Sequence, residues 1–253
     1  MAGTGDPRLM ADAGVLSARA GIVLDPWQRT ILESTSQALL INCSRQAGKS
    51  TAVALLIVQT LLQSERMVVL IAPALRQTKE LMRKVLAFWR RLGRPVETTH
   101  VTRTTLELAN GSRLEALPGR ADTIVGFSAV DLLVTDEAAL IDDDLYQAVA
   151  PMLAVSGGRL VAPSTPWGKR GWWYELWRDE AAEEVERILV PATEVPRIAH
   201  EFLARERRRI GEWWFNQSYL CAFQEAATAA FRERDVEAMF SPEVETADWL
   251  FAP

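Results

Sequence analysis

The sequence predicts an α/β fold, a mostly parallel sheet with helices on both faces. Three observations lead there. Short continuous apolar runs (Ala38 to Cys43, Met67 to Ala72, Asp131 to Thr135, Arg159 to Pro163) read as strands buried on both sides. Amphipathic stretches of helical period lie between them. The two kinds of segment alternate along the chain, the order that builds parallel sheets.

Taken in order, Ala38 to Cys43 (ALLINC) is the first strand, and Ser50 to Gln63 is a helix with Val53, Leu56, Ile57 and Leu61 on one face. Met67 to Ala72 is a second strand, stopped by Pro73. Leu75 to Trp89 is helical: Leu81, Met82, Val85, Leu86 and Trp89 recur at helical spacing, with Arg76, Lys79, Arg83 and Lys84 among them. Thr104 to Leu108 and Ser112 to Leu117 flank Asn110-Gly111, a strong hairpin signal. Arg187 to Val190 is a further strand. From Pro191 the pattern changes to two helices, His200 to Ile210 and Glu212 to Gln224. The expected organisation is a core over residues 1–190 and a small helical lid or linker over 191–253.

Composition narrows the function. No apolar run approaches the roughly 18 residues of a membrane span, and MAGTGDPRLMADAG lacks the basic start and apolar stretch of a signal peptide. The 2 cysteines, Cys43 and Cys221, are too few and too far apart for a disulfide framework or zinc site, so a reducing cytosol is the expected compartment. With His100 and His200 the only histidines, a histidine-based triad is disfavoured. A net charge of -5 opposes general nucleic-acid binding, so any DNA contact must use a local basic surface.

ALLINC runs into Ser44-Arg45-Gln46-Ala47-Gly48-Lys49-Ser50-Thr51 and then a helix. That is the strand–loop–helix setting of a phosphate-binding P-loop, where backbone amides and a helix N-terminus face the anion. Lys49 is expected at the β and γ phosphates and the Ser50 hydroxyl on Mg²⁺. The usual first glycine is replaced by Cys43, so a turn that merely caps a helix is the competing reading. Asp131-Leu132-Leu133-Val134-Thr135-Asp136-Glu137 reads as a Walker B strand delivering two carboxylates to the ligand edge. Asp136 is the expected Mg²⁺ ligand, directly or through water, and Glu137 the group that polarises water. Ser164-Thr165-Pro166 ends the next strand; it serves equally well as a hydroxyl near the γ-phosphate or as a polar cap before proline.

In this order the motifs resemble those of phage large terminases. Leu24-Asp25-Pro26-Trp27-Gln28 looks like the family's adenine-reading segment, and Ser44 to Ser50 is similar to its phosphate loop, which often lacks the first glycine and carries an arginine. Pro118-Gly119 through Gly126-Phe127-Ser128-Ala129, then Asp136-Glu137-Ala138-Ala139, match further, as do Ser164-Thr165-Pro166 with Gly168 and Gly171, and Phe215 to Phe223. The resemblance spans Leu24 to Phe231. It implies a P-loop NTPase of the ASCE or RecA-like kind, an ATPase using Mg²⁺ that moves double-stranded DNA into a procapsid. Implied partners are the portal protein, the small terminase subunit and further copies in a ring, the chain being a monomer in isolation. The implied place is the host cytoplasm, transiently at the portal. Two departures stand out. Val125 occupies the position where the family usually has arginine, which leaves Arg120 as the candidate finger in trans and Arg45 as a candidate in cis. The family's nuclease domain is expected to be absent from these residues. The competing functions are a helicase-like DNA-dependent ATPase and a catalytically silent, prophage-derived assembly module.

Other residues invite weaker readings. Trp172, Trp173, Trp177, Trp213 and Trp214 read as packing residues before base-stacking ones. Arg205, Arg207, Arg208 and Arg209 form a solvated helix face or a partner contact, and the basic helix from Arg76 to Arg91 is a candidate DNA surface. Cys221 reads as a small apolar residue within a helix.

Overall fold

Apolar runs without alternation produce strands with no solvent face, and the sheet is built from them. The computed structural model describes residues 7–119 and 126–225. Strands β1 (Ala38–Cys43), β2 (Met67–Ala72), β6 (Leu132–Thr135) and β7 (Arg159–Ser164) are buried along almost their whole length. With β3 (Thr98–Val101), β4 (Thr105–Leu108), β5 (Arg113–Pro118) and β8 (Val185–Val190) they form one 8-stranded sheet in the order β3-β4-β5-β2-β6-β7-β1-β8. From β5 to β8 every pairing is parallel; β4 joins β5 and β3 joins β4 antiparallel. The Asn110-Gly111 hairpin is therefore present, and the Asn110 side chain also caps the helix that ends at Leu62 by donating to the Leu61 and Gln63 carbonyls.

Alternate residues of each buried strand face opposite layers. Leu39, Ile41 and Cys43 join Val68, Leu70 and Val134 beneath the helices α1 (Pro7–Ala11), α2 (Ala13–Arg19), α3 (Pro26–Glu33), α4 (Lys49–Leu62) and α5 (Leu75–Arg91). Leu40, Val69, Ile71, Leu133 and Ala162 face α6 (Asp143–Val149) and α7 (Gly171–Arg178). Trp172 and Trp173 are buried in that second layer, each with its indole N–H bonded to a backbone carbonyl, so they are packing residues.

After β8 come α8 (His200–Ile210) and α9 (Glu212–Tyr219), with Leu203, Phe215 and Ala192 packed into a small core of their own. The expected helix Glu212 to Gln224 is shorter than its periodicity suggests. Leu220 N–H closes the last turn on Phe215 and Asn216, and Cys221 takes a left-handed conformation at φ 59°. Cys221 thus lies past the helix end, buried, with its thiol donating to Val190 O. Arg120 and Val125, the carboxylates from Glu233 to Asp248, and the stretch from Ala226 to Phe231 at the end of the resemblance lie outside the described residues.

Candidate nucleotide-binding site

Open parallel sheets bind ligands beyond the carboxyl ends of their strands. Here β7 stands between β1 and β6, so the loops after these three neighbours meet at one edge. That inserted strand is the ASCE arrangement. A cleft of about 560 Å³ opens there, walled by Ser44, Arg45, Gln46, Gly48, Lys49, Ser50 and Thr51, by Glu137, and by Thr165.

The loop after β1 adopts left-handed conformations at Gln46 (φ 63°) and Gly48 (φ 99°). Cys43 remains in the strand, fully buried, and its carbonyl accepts the Thr165 hydroxyl at 2.9 Å. A glycine is therefore not required at that position, which explains the departure from the usual spacing. Helix α4 begins at Lys49, so the amides of Lys49 and Ser50 have no acceptor within the helix and are available to an anion.

Strand β6 delivers Asp136 and Glu137. Asp136 is 6% exposed and accepts the Glu137 N–H at 3.1 Å. Glu137 is left-handed at φ 55°, an arrangement that costs a side-chain-bearing residue on the order of 1 kcal/mol. The turn is held by Ser164, whose hydroxyl accepts the Ala139 N–H at 3.0 Å and donates to Thr165 O at 2.9 Å. Ser164 is fully buried and is not on the cleft wall; Thr165 is.

Lys49 Nζ stands 2.7 Å from Glu137 Oε1. Burial opposes the charge on Lys49, yet Cys43, Glu137 and Asp136 raise its pKa on balance. Burial pushes the Cys43 thiol up to about 12, so at neutral pH it carries no charge and the two carboxylates are what hold the ammonium. Asp136 is pushed up to about 6, chiefly by burial and against the pull of Lys49, with the neighbouring Glu137 adding to the rise. A magnesium ion suits the chemistry of this donor set, since the Ser50 hydroxyl on the cleft wall, the buried Asp136 carboxylate, which is not itself on that wall, and phosphate oxygens are hard ligands that leave room for waters. Among the described residues no cluster of three or more His, Cys, Asp or Glu side chains offers an all-protein metal cage.

Trp27 and Gln28 are not on the cleft wall. Gln28 is 4% exposed, and both ends of its amide are engaged: Oε1 accepts Asp25 N–H at 2.9 Å and Nε2 donates to Gly48 O at 3.2 Å. Sequence reasoning missed Gln77, Lys84, Leu140, Trp167, Gln217 and Ser218, which also line the cleft. Lys84 belongs to the basic helix first read as a DNA surface, and it lowers the pKa of Asp136. The missed groups come from helix faces and loops with no motif of their own. Only the Phe215 to Phe223 match hinted at Gln217 and Ser218.

The model of the terminase large subunit, T4likevirus-type, N-terminal part, matches residues 40–237. The chain belongs to the large-terminase family. No curated protein sequence matches it. Among solved structures, the ATPase domain of the large terminase of Thermus phage P74-26 (R139A mutant) is similar with TM-score 0.73 and 23% identity, covering 82% of this chain and 97% of that one. The large terminase of the thermophilic bacteriophage D6E in complex with ADP follows at TM-score 0.68 and 12% identity, covering 79% of this chain and 54% of that one. The HK97 bacteriophage large terminase gives TM-score 0.66 and 16% identity, covering 80% and 51%. This terminase chain therefore has the fold of terminase ATPase domains, and spans about half the length of the D6E and HK97 proteins.

Proposed function

We propose that this chain is the ATPase domain of a phage DNA-packaging motor, coupling Mg²⁺-dependent ATP hydrolysis to translocation of double-stranded DNA into a procapsid. The observation that carries the reading is the Lys49–Glu137 pair, 2.7 Å apart across a cleft whose floor is a helix N-terminus. ADP and an ATP analogue are named as ligands of the D6E terminase, which supports a nucleotide here.

In this reading the amides of Lys49 and Ser50 and the Lys49 ammonium hold the phosphates. Ser50 and Asp136 would hold a magnesium ion, which would supply positive charge beside the phosphate oxygens. Glu137 accepts a proton from the attacking water. Arg45, exposed on the cleft wall, is the cation available in cis, and Arg120 the candidate supplied by a neighbouring subunit in a ring. The DNA surface is the exposed row Arg76, Arg83, Arg90 and Arg91 on α5. Portal protein and small terminase subunit complete the motor, working at the portal in the host cytoplasm.

The test is phosphate release with Mg²⁺ and ATP, measured for the chain alone and with DNA, portal-bearing procapsids and small subunit. Turnover that rises with the added components and vanishes in Lys49→Ala supports the reading. Absence of any ATP binding by the wild-type chain would mark a silent assembly module instead.

A further inference from the structure

Two consecutive carbonyls of the phosphate loop are gripped from outside the loop. Gln28 Nε2 donates to Gly48 O at 3.2 Å, and Arg197, between β8 and α8, donates through Nη2 to Ala47 O. The two holders are joined to each other. Arg197 Nη1 pairs with Asp25 Oδ2 at 2.7 Å, while the Asp25 N–H bonds to Gln28 Oε1 at 2.9 Å. The fit leaves no slack: a Cβ added to Gly48 would lie 2.8 Å from both Arg197 Nη2 and Gln28 Nε2.

A trans peptide is planar, and its C=O and the following N–H point in opposite directions. No described peptide of this chain is cis. Fixing Ala47 C=O on Arg197 therefore turns the Gly48 N–H the other way, and Gly48 C=O, held by Gln28 together with the Thr51 and Ala52 N–H groups of the first turn of α4, does the same for the Lys49 N–H. Neither Gln28 nor Arg197 is on the cleft wall, whereas Gly48 and Lys49 are. Donors aimed before the anion arrives need no reorganisation when it binds.

We infer that Arg197 and Gln28 are positioning residues of the phosphate loop, which aim the Gly48 and Lys49 amides at the phosphates. The inference deepens the nucleotide-binding reading and rests on it. The role assigned to Gln28 acts on the backbone of the loop rather than on the base. Its consequences are therefore the same for any ligand carrying the phosphate chain.

The experiment is calorimetric titration of the chain with Mg²⁺ and, in turn, ATP, GTP and inorganic tripolyphosphate, for wild type, Arg197→Ala, Arg197→Lys and Gln28→Ala. Melting of each ligand-free variant checks the fold. Arg197→Ala and Gln28→Ala are expected to weaken all three ligands by a common factor, roughly tenfold for the loss of one such hydrogen bond. Arg197→Lys keeps the charge but not the fork that reaches Asp25 and Ala47 together, and is expected to restore part of the loss. Wild-type tripolyphosphate affinity in Arg197→Ala, or a loss in Gln28→Ala confined to ATP, overturns the inference. Should Arg197→Ala not fold, Gln28→Ala and Arg197→Lys decide by the same criteria. Failure of the wild type to bind any of the three sinks the nucleotide reading itself, a result distinct from the others.

Discussion

Lys49 and Glu137 neutralise each other at 2.7 Å, with side chains only 12% and 26% exposed. The residue proposed to grip phosphate is thus held by the residue proposed to activate water. On that proposal, a γ-phosphate would compete with the Glu137 carboxylate for the Lys49 ammonium.

Glu137→Gln is expected to keep ATP affinity within a few-fold while lowering turnover by about 10²–10⁴, the usual worth of a general base. Fluorescent-nucleotide titration beside single-turnover hydrolysis measures the two separately. Equal loss of both would mean that Asp136 and Glu137 had been given each other's roles.

Lys49→Ala removes the phosphate cation and strips Asp136 and Glu137 of their neutralising partner. ATP binding should fall by roughly 10²-fold or more, in line with the loss of a partly buried charge-assisted contact. Turnover at the wild-type rate in this variant would remove the phosphate-loop assignment.

Asp136 ties stability to pH. Its folded pKa of about 6 lies above the ordinary 3.8, so its stabilising contribution is full below pH 3.8 and is lost as pH rises through about 6. The loss is on the order of 2–3 kcal/mol. Asp136→Asn should therefore raise the melting temperature of the ligand-free protein at pH 7.5, lose that advantage near pH 4, and abolish Mg²⁺-dependent turnover. A melting temperature at pH 7.5 below that of the wild type would refute the buried-charge account.

Ser164→Ala takes away the acceptor of the Ala139 N–H and frees the turn that carries Glu137. The expected cost is about 1–2 kcal/mol of stability, with kcat falling more than ATP affinity. Unchanged kcat would show that the left-handed Glu137 is held without Ser164.

Cys43 and Cys221 are buried, and burial raises both thiol pKa values. Neither should react with iodoacetamide at pH 8 until the chain unfolds. Rapid labelling of the native protein, read by mass spectrometry, would contradict this packing.

The strands were legible because ALLINC and MVVLIA are long enough, and apolar enough, to belong on no surface. Strand β3 was not: Thr98-Thr99-His100-Val101 is mostly exposed at the sheet edge and shows neither alternation nor burial. Helices α6 and α7 are too short for periodicity to declare them. At the site, Lys49, Asp136 and Glu137 announce themselves by residue type at the ends of buried strands. Arg197 does not, because a lone arginine between a strand and a helix becomes a phosphate-loop contact only once 150 residues of intervening chain have folded back. The Ser164 hydroxyl was visible, but which backbone it holds depends on strand order, which no local pattern encodes.

The loop after β1 is built early in the chain but shaped by late arrivals. Arg197 holds Ala47 O from 150 residues away, Ser218 O takes the Arg45 N–H, and Cys221 O takes the Asn42 amide across 179 residues. Contacts of such separation form slowly, because the chain entropy lost in closing the loops precedes any gain. During synthesis, then, β1 and α4 emerge long before the residues that set their junction, so the proposed nucleotide site would take its final form only when Arg197, Ser218 and Cys221 have docked. A nascent chain stalled before Arg197 could assemble much of its sheet and still be blind to ATP.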